Sequence, residues 1–381
     1  MKLSYVTHYD ALDVRNWSGT GYYIMQALKK QNVDFEYVGN LKTKISLFSR
    51  IQRKLYTSYT NLGFLNDRDF SVIKNYAKEI KNRISKDTDI VFSPSSLPIA
   101  MLKVPQKIVF YTDATFASLV DYYDYLSNLG KYALKQGHTL EKLALDNCDL
   151  AIYTSDWAAE SAIRDYGTNP DKIRVVPRGA NIESSRSEED IRALVQKKDR
   201  KKCNLLFIGV EWKRKGGDIA VKIAETISSK GIPVQLDIVG VKEDMALPPF
   251  ATNHGFISKS SEVGRQKLDA LMSNAHFLLL PTRAECSAIV YCEASSWGLP
   301  NITTKTGGIT TAVKDGLNGM TFDLSASPEE YSEYIIRLFS NFDEYLKLSL
   351  SSFHEYETRL NWEVAGKKII EYCNEIIDHH H

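Results

Sequence analysis

The stretch HFLLLPTRAECSAIVYCEASSWGLPNITTKTGG, residues 276–308, decides the fold class of this chain. Residues 276–281 form a short apolar run that ends at a proline, and such a run predicts a buried strand. Residues 288–297 contain no helix breaker and are followed by a glycine and a proline, so they predict a helix and its end. Residues 301–305 predict a second strand. A strand, a helix and a strand in this order are typical of a parallel α/β sheet.

Two glutamates in this stretch, Glu285 and Glu293, are separated by seven residues. Glu285 falls in the loop at the carboxyl end of the first strand, where open α/β sheets bind ligands. Glu293 falls on the helix, on the same face as the apolar Ile289 and Trp297. Because an unpaired carboxylate among apolar side chains is costly, we expect a cation or a ligand with hydroxyl donors to satisfy it. Alternatively, Glu293 is a salt-bridged structural residue and Glu285 a solvated loop charge.

Gly307 and Gly308 follow the second strand and open a short predicted helix. Paired glycines let backbone N–H groups approach an anion closely, and the start of a helix favours negative charge. A carboxylate can accept two hydrogen bonds, which suits the neighbouring hydroxyls of a ribose or a hexose. Acceptors for sugar hydroxyls and a cradle for an anion would then lie at adjacent strand ends, a pairing that suits a nucleotide-diphosphate sugar.

The spacing Glu-x7-Glu, followed by Gly-Leu-Pro and Thr-Gly-Gly, resembles the donor-site signature of the family 4 glycosyltransferases, retaining enzymes of the GT-B fold. Other landmarks agree and follow one another in the family's order. They are the Ser-Gly-Thr-Gly loop at 18–21, the Val-Pro-Arg-Gly segment at 176–179, the strand, glycine and Lys-Gly-Gly pattern at 207–217, and the Asp-Gly-Leu-Asn-Gly turn at 315–319. The resemblance is to bacterial glycosyltransferases of the glycosyl transferase group 1 type.

Short apolar runs alternate with helical stretches along the chain, which predicts parallel, doubly wound sheets. The pattern restarts after a polar segment, so we expect two such domains. The predicted strands are 3–7, 35–38, 90–92, 108–111 and 150–153 before the polar segment, and 205–209, 234–239, 277–281 and 302–304 after it.

The resemblance to GT-B enzymes implies two Rossmann-like domains with a cleft between them. We expect an acceptor-binding domain at 1–180, a linker at 181–202 and a nucleotide-sugar-binding domain at 203–355. A last helix at 356–378 is expected to pack back on the N-terminal domain. The three histidines at 379–381 look like the remnant of an expression tag.

The composition narrows the functional class. A length of 381 residues suits two domains, and a formal net charge of +1 gives no general attraction to nucleic acid. The five cysteines are scattered without a Cys-x-x-Cys motif, which argues against a zinc site and fits a reducing cytosol. We find neither a signal-peptide pattern nor the ~18 apolar residues needed to cross a bilayer. A cytoplasmic protein is expected.

Lys215 is the strongest candidate cation. A lysine beside a glycine pair, just past a strand end, can stabilise the charge that develops on a leaving diphosphate. Alternatively, it is one of three solvated basic residues in a row. In many family members an arginine follows the strand-end glycine, but this chain has Val210 there. Arg178 and Arg214 are candidates to replace that arginine, and Arg178 is preferred because it lies in the segment that resembles the interdomain hinge.

Asp113 follows a predicted strand of the first domain, where it could accept a sugar hydroxyl or orient the acceptor. Alternatively, it is a helix N-cap, a common role for aspartate at such a junction. Some family members have a histidine near this position, and this chain offers none. The resemblance implies that Glu293 holds the ribose hydroxyls and that Glu285 contacts the transferred hexose.

The assigned site falls into two groups. Lys215, Glu285 and Asp113 are assigned to catalysis. Donor binding is assigned to Glu293, Arg178, Arg214, Gly19, Gly209, Cys286, Ser287, Ala288, Gly307 and Gly308.

Residues 41–56 carry five basic side chains and no acidic one, and their apolar residues recur at helical spacing. A basic amphipathic helix can lie on an anionic membrane surface, here the inner face of the membrane. Alternatively, its apolar stripe packs on the core of the first domain. Both interpretations stay open from the sequence.

The sequence therefore predicts a retaining glycosyltransferase that moves a hexose from a nucleotide-diphosphate sugar, with a UDP-sugar favoured, to a hydroxyl of a glycan, a lipid-linked glycan, a protein or a small molecule. We expect no cofactor and no metal, and we interpret Asp87-Thr88-Asp89 as a turn rather than a metal motif. The alternatives are a catalytically inactive nucleotide-sugar-binding protein and a GT-B epimerase or disaccharide synthase.

Overall fold

The computed structural model describes residues 1–378 except 48, 52, 53, 55–61, 64, 183 and 243–245. The chain forms two compact units. Unit 1 comprises residues 1–177 together with the chain from Trp362 onward, and unit 2 comprises Arg178–Asn361. Each unit has its own hydrophobic core and its own sheet, as expected for a two-domain α/β chain.

Unit 1 contains a sheet of β1 (Lys2–Val6), β2 (Asp34–Val38), β3 (Ile90–Ser93), β4 (Lys107–Thr112), β5 (Leu150–Tyr153) and β6 (Ile173–Val175). The strand order is β2-β1-β3-β4-β5-β6, and all neighbours are parallel. The chain order reverses between β1 and β3. Such a switch point leaves a crevice at the carboxyl ends of the strands, where ligands bind.

The helices described in the first 177 residues include α1 (Thr20–Lys29), α2 (Phe70–Arg83), α3 (Phe116–Leu119), α4 (Lys131–Asn147) and α5 (Asp156–Tyr166). Three of them begin at side-chain caps that the sequence supplies. Asp69 accepts a hydrogen bond from Ser71 N at the start of α2, Thr115 caps α3, and Ser155 caps α5. These caps satisfy backbone N–H groups that would otherwise lack partners at the helix starts.

Unit 2 contains a sheet of β7 (Cys203–Ile208), β8 (Val234–Val239), β9 (Ala251–Asn253), β10 (Phe277–Leu280), β11 (Asn301–Thr304) and β12 (Gly319–Phe322). The order is β9-β8-β7-β10-β11-β12, again with parallel neighbours. This is the strand order of the dinucleotide-binding Rossmann sheet, with its switch point between β7 and β10.

The helices of unit 2 are α6 (Glu188–Gln196), α7 (Gly217–Ser229), α8 (Glu262–Asn274), α9 (Ile289–Ser295), α10 (Ile309–Ala312), α11 (Pro328–Ser340) and α12 (Phe342–Thr358). Helix α6 lies within 181–202, the segment expected to be a linker. Its Ile191 and Val195 are fully buried in the core of unit 2. The segment is therefore part of unit 2, because burying this apolar face stabilises it there.

The last helix, α13 (Trp362–Asp378), belongs to unit 1 and packs against α1. Gly366 permits the close approach, since a Cβ at this position would lie 2.8 Å from the Ala27 carbonyl oxygen. Trp362 and Ile369 join the unit 1 core on the same face of the helix. The chain thus passes from unit 1 to unit 2 and returns to unit 1 at its end.

The doubly wound α/β class is confirmed. The nine strands expected from apolar runs are present, and their ends differ from the expected ones by no more than two residues. Strands β6, β9 and β12 were not predicted from the sequence. Each has four residues or fewer and lies at a sheet edge, where one side lacks a neighbouring strand and the apolar signal is weaker.

The predicted helix at 41–56 lies partly outside the described residues, and the prediction is wrong for residues 41–46, which are not helical. Within its described part, Leu41 is buried and Ile45 packs against the unit 1 core. Leu47 and Ile51, by contrast, are 75% and 60% exposed. The apolar stripe is therefore only partly used for core packing. Among the described residues, no helix combines the length and the apolar character needed to cross a bilayer.

Candidate active site

The loop between β7 and α7 brings Lys215 to the end of β10. Gly216 has a left-handed φ of 76°, and a Cβ there would lie 1.9 Å from the carbonyl oxygen of Pro281, which follows β10. A Cβ on Gly209, which follows β7, would lie 2.8 Å from Lys215 Cγ. Because glycine has no Cβ, these two positions let the strand ends and the lysine stem approach closely. Lys215 therefore lies beside the carboxyl ends of β7 and β10, the two strands at the switch point of the sheet.

Glu285 meets two cations at this place. Lys215 Nζ donates a hydrogen bond to Glu285 Oε2, and Arg214 Nη1 donates to the same oxygen at 3.1 Å. Arg214 also donates to the Ala284 carbonyl oxygen at 2.8 Å and pairs with Glu211. The Glu285 side chain is only 10% exposed. The expectation of a solvated loop charge is therefore wrong for Glu285, because burial without these cations would be too costly.

The electrostatic result is a buried carboxylate that stays ionised. Burial alone would raise the pKa of Glu285, but the adjacent Lys215 and Arg214 outweigh it and hold the pKa below its ordinary value. Lys215 is itself buried, so the alternative of a solvated surface lysine does not hold for it. A negative and two positive groups are thus preorganised at the strand ends before any ligand arrives.

Glu293 lies on α9 and is 2% exposed. Its Oε1 accepts a hydrogen bond from Lys259 Nζ, a side chain that is 42% exposed. A cation therefore satisfies Glu293, one of the two outcomes that the sequence predicts. Lys259 was missed by the sequence analysis, and its only signal is a basic residue just before the Ser261 cap of α8.

The residues that follow Glu285 form a buried turn into α9. Cys286, Ser287 and Ala288 are all buried, and Ala288 is the N-cap of α9. Arg178 lies against this turn, where its Nη1 donates to the Ser287 carbonyl oxygen at 3.3 Å. The Cys292 thiol donates to the Arg178 carbonyl oxygen at 3.3 Å. Arg178 thus contacts the turn that follows Glu285, whereas Arg214 contacts the Glu285 carboxylate itself.

The glycine pair after β11 lies against the same loop. Gly308 N donates to the Glu285 carbonyl oxygen at 3.3 Å, and Gly307 has a left-handed φ of 52°. Helix α10 begins at Ile309, as expected, but has only four residues. The predicted donor-side residues of unit 2 are therefore brought together around Glu285, with Glu293 on the helix that follows.

Asp113 and Gly19 belong to unit 1. Asp113 follows β4, and the N-cap of the next helix is Thr115, so the alternative role of Asp113 as that cap is wrong. Gly19 has a left-handed φ of 81° at the start of α1. In the Asp87-Thr88-Asp89 turn, the Asp87 carboxylate accepts from Lys2 Nζ at 2.9 Å.

Comparison with known proteins follows the same division of the chain. Residues 22–184 match the model described as Glycosyltransferase Family 4, and residues 202–341 match the model described as Glycosyl transferases group 1. The chain belongs to the family 4 glycosyltransferases. The first match lies mostly in unit 1 and the second lies within unit 2, so membership rests on both halves of the fold.

One curated relative is a D-inositol 3-phosphate glycosyltransferase of Corynebacterium urealyticum, which is 23% identical over 279 residues. The alignment covers 68% of this chain and 64% of the relative, so the chain spans less than two thirds of that protein's length. A similar relative from Acidothermus cellulolyticus is 29% identical over 49% of this chain and 45% of its own length.

Solved structures show the fold. A sucrose-phosphate synthase from Thermosynechococcus elongatus superposes with a TM-score of 0.70 over 100% of both chains, at 15% identity. HepE of Anabaena, solved in complex with UDP-glucose, gives 0.63 over 98% of this chain and 100% of that one, at 13% identity. The two-domain architecture of this family member is that of the GT-B glycosyltransferases, as the sequence predicts.

Proposed function

We propose that this protein is a retaining glycosyltransferase that moves a hexose from a UDP-sugar to a hydroxyl acceptor, without a metal ion. The observation that carries the proposal is the buried cluster of Glu285, Lys215 and Arg214 at the switch point of the unit 2 sheet. A fold-level match alone would not assign an activity. The cluster adds preorganised charges of both signs at the place where such sheets bind ligands.

Lys215 and Arg214 are the groups that would stabilise the leaving diphosphate. Negative charge grows on the diphosphate as its bond to the sugar breaks, and fixed cations in a site shielded from water stabilise such charge strongly. We propose Arg214 as the substitute for the arginine that family members carry at the position of Val210, because Arg214 Nη1 lies 3.1 Å from Glu285 Oε2. Arg178, the candidate preferred from the sequence, donates to the Ser287 carbonyl oxygen in the turn that follows Glu285, and it stays a second candidate for this role.

Glu285 and Glu293 are the groups that would hold sugar hydroxyls. In the proposed complex, the transferred hexose donates to Glu285 and the ribose donates to Glu293. Each carboxylate can accept more than one hydrogen bond, so a ligand can add to the lysine contacts or replace them. Because Lys259 is partly exposed, we expect its side chain to move away from Glu293 when the ribose binds.

The proposed reaction breaks the bond between the anomeric carbon and the diphosphate oxygen and forms a bond from that carbon to the acceptor oxygen on the same face. The acceptor proton passes to the leaving diphosphate, so no protein nucleophile is required. The atoms balance as UDP and a glycoside with the donor's anomeric configuration. Asp113 would orient the acceptor from unit 1.

The choice of UDP is supported by a structural neighbour, HepE of Anabaena, which was solved in complex with UDP-glucose. We also propose a cytoplasmic location with peripheral contact to an anionic membrane through residues 41–56. The exposed Leu47 and Ile51 support that contact, since they lie on the same segment as the basic Arg50 and Lys54.

The test is turnover of candidate nucleotide sugars by the purified protein in EDTA, with UDP release and the anomeric NMR signal of the product as readouts. The proposal predicts that UDP-sugars are consumed, that EDTA has no effect and that the product keeps the donor configuration. Tight UDP binding without any turnover would indicate a binding protein instead. Activity that is lost on chelation and restored by Mn²⁺, or an inverted product, would also contradict the proposal.

A further inference from the structure

A cavity of about 460 Å³ lies in unit 2, at the edge of the sheet opposite to the Glu285 cluster. Residues 198–201 precede β7, residues 231–233 precede β8 and His276 precedes β10, and all of them line the cavity. The cavity is therefore at the amino ends of these strands, whereas the Glu285 cluster follows carboxyl ends. Because β7 has six residues, about 20 Å of sheet separates the two places. The cavity is large enough for a small molecule and is distinct from the proposed donor site.

Lys198 is the unusual group in this cavity. It is 8% exposed, its Nζ donates to the Ala275 carbonyl oxygen, and Nζ lies 5.8 Å from the centre of the Tyr345 ring. No carboxylate in the described part of the chain forms an ion pair with it. An ammonium group has three N–H donors, and a lysine is almost never this buried unless a partner compensates its charge. Lys198 therefore offers both donors and positive charge to a ligand.

The electrostatics of this lysine point in the same direction. Burial lowers the pKa of Lys198 to about 7, because no negative group nearby compensates the lost hydration. An anion beside Nζ would favour the protonated form and raise that pKa. Burial also lowers the pKa of His276, to about 4, so its imidazole is neutral at pH 7 and leaves Lys198 as the buried cation of the lining.

Two further cations line the cavity, Arg200 and Lys201. The Arg200 guanidinium lies 3.8 Å from the centre of the Phe342 ring, and this stacking holds it in position. Neither cation forms an ion pair among the described residues. Asp199, the one acidic residue of the described lining, accepts from the backbone N–H of Lys201 at 2.7 Å. Three cations and one anion give the lining a net charge of +2 when Lys198 is protonated.

The rest of the wall is largely apolar. Phe339 of α11, Phe342 of α12 and Ile232 before β8 supply this surface. A ligand with an anionic group on an apolar body would contact both parts of the wall. A phosphate monoester carries about −1.5 to −2 charges at neutral pH, close to the charge that the lining can neutralise, whereas a carboxylate carries one. Lysine and arginine are also the usual partners of phosphate oxygens.

We infer that this cavity binds a phosphate monoester attached to an apolar body, with Lys198 and Arg200 donating to the phosphate oxygens and Phe339 and Phe342 contacting the body. The inference goes beyond the proposed transferase function and does not depend on it. It adds a binding site at the opposite edge of the sheet from the donor. The phosphate can belong to a soluble ester or to the headgroup of a membrane lipid, since both present the same group.

The test is titration calorimetry of the purified protein with phenyl phosphate, inorganic phosphate and phenylacetate. We expect phenyl phosphate to bind at millimolar concentration or below. Inorganic phosphate should bind more weakly because it lacks the apolar body, and phenylacetate should bind more weakly because it carries a single charge. No binding of phenyl phosphate would overturn the inference, and so would equal or tighter binding of either of the other two probes.

Three variants locate the binding. Lys198→Met should weaken phenyl phosphate binding about tenfold or more, because a charge-assisted hydrogen bond to a buried cation is lost. Arg200→Gln, at an exposed position that is not expected to affect folding, should weaken it to a smaller degree. Lys197→Met, an exposed neighbour outside the lining, is the matched control and should bind like wild type. Wild-type affinity in Arg200→Gln or in folded Lys198→Met would overturn the inference.

Lys215→Ala separates this cavity from the donor site, and it should leave phenyl phosphate binding unchanged. Loss of that binding in Lys215→Ala would place the phosphate in the donor site and overturn the inference. Co-sedimentation with phosphatidic acid vesicles then distinguishes the two sources of the phosphate. Pelleting that is lost in Lys198→Met would support a lipid headgroup. Equal pelleting of Lys198→Met and wild type, together with Lys198-dependent binding of phenyl phosphate, would support a soluble ester.

Discussion

Two buried glutamates, Glu285 in unit 2 and Glu141 in unit 1, lie at the carboxyl edges of their sheets and meet opposite surroundings. Glu285 accepts from Lys215 and Arg214 through one oxygen. Glu141 accepts from the Ser96 hydroxyl at 3.1 Å, and its nearest cation, Arg68, lies 3.7 Å from the same oxygen. The same side chain therefore has two cations within hydrogen-bond distance in unit 2 and one more distant arginine in unit 1.

The pKa values follow this difference. Burial raises the pKa of Glu141 above its ordinary value, and Arg68 and Ser96 only partly oppose it. At Glu285 burial acts in the same direction, but the two cations prevail and the pKa is lowered. A site with charges fixed in advance suits the stabilisation of a developing charge.

The largest effect is expected from removing Lys215, the buried cation of unit 2 that contacts Glu285. Lys215→Ala should lower kcat for UDP-sugar turnover by about 10²–10³-fold, the usual effect of deleting one preorganised charge stabiliser. Lys213→Ala, at a side chain that is 83% exposed, is the matched control and should retain wild-type turnover. The measurement is UDP release at saturating donor. Wild-type kcat in Lys215→Ala would remove Lys215 from the catalytic site.

A smaller effect is expected at Glu293, whose partner is a single, partly exposed lysine. Glu293→Gln should weaken UDP binding about tenfold or more, since a charged hydrogen bond contributes about 1.5–3 kcal/mol. Its effect on kcat should be smaller, because ribose contacts are alike in the ground and transition states. Titration calorimetry with UDP measures this, and Glu225→Gln on the exposed face of α7 is the control. An unchanged dissociation constant in Glu293→Gln would contradict the ribose assignment.

The two pKa directions predict opposite dependences of stability on pH. Glu141 has a raised pKa in the folded protein, so the free energy of unfolding should fall as pH rises from its unfolded pKa through its folded one. Glu285 has a lowered pKa, so its contribution is present above its unfolded pKa and is lost as pH falls through its folded pKa. The two carboxyl groups should therefore affect stability on opposite sides of the ordinary glutamate pKa.

Urea unfolding at a series of pH values measures both effects. Glu141→Gln should flatten the loss of stability on the rising-pH side, and Glu285→Gln should flatten the loss on the acid side. Glu160→Gln should reproduce the wild-type profile on both sides. Identical slopes for Glu141→Gln and Glu285→Gln would contradict the contrast between the two sites.

The smallest expected effect concerns the proposed contact of residues 41–56 with an anionic membrane. The double variant Arg50→Glu/Lys54→Glu should reduce co-sedimentation with phosphatidylglycerol vesicles, because each basic residue near an anionic surface contributes about 1 kcal/mol. Wild-type binding should also fall with added salt. Lys74→Glu/Lys78→Glu, at exposed positions on α2, is the matched control. Equal pelleting of wild type and Arg50→Glu/Lys54→Glu at low salt would contradict the membrane contact.

The sequence by itself determined the α/β class, most strand positions and the place of the two glutamates on a strand end and a helix. These features depend on short-range patterns, since apolar runs and glycine or proline signals act within about ten residues. The same reasoning placed Lys215 after β7 and Glu285 after β10. Strands β7 and β10 are neighbours at the switch point of the sheet. The sequence could therefore indicate that the residues after them, Lys215 and Glu285, lie close together.

Only the tertiary structure decided which partners each charge has. Lys259 and Glu293 are 34 residues apart, and Arg214 and Glu285 are 71 apart. Ser96 and Glu141, which form a hydrogen bond in unit 1, are separated by 45 residues. No periodicity connects positions so distant in the chain. Their pairing depends on which loops the packed sheets bring together, and a buried charge takes whichever partner lies within a few ångströms there.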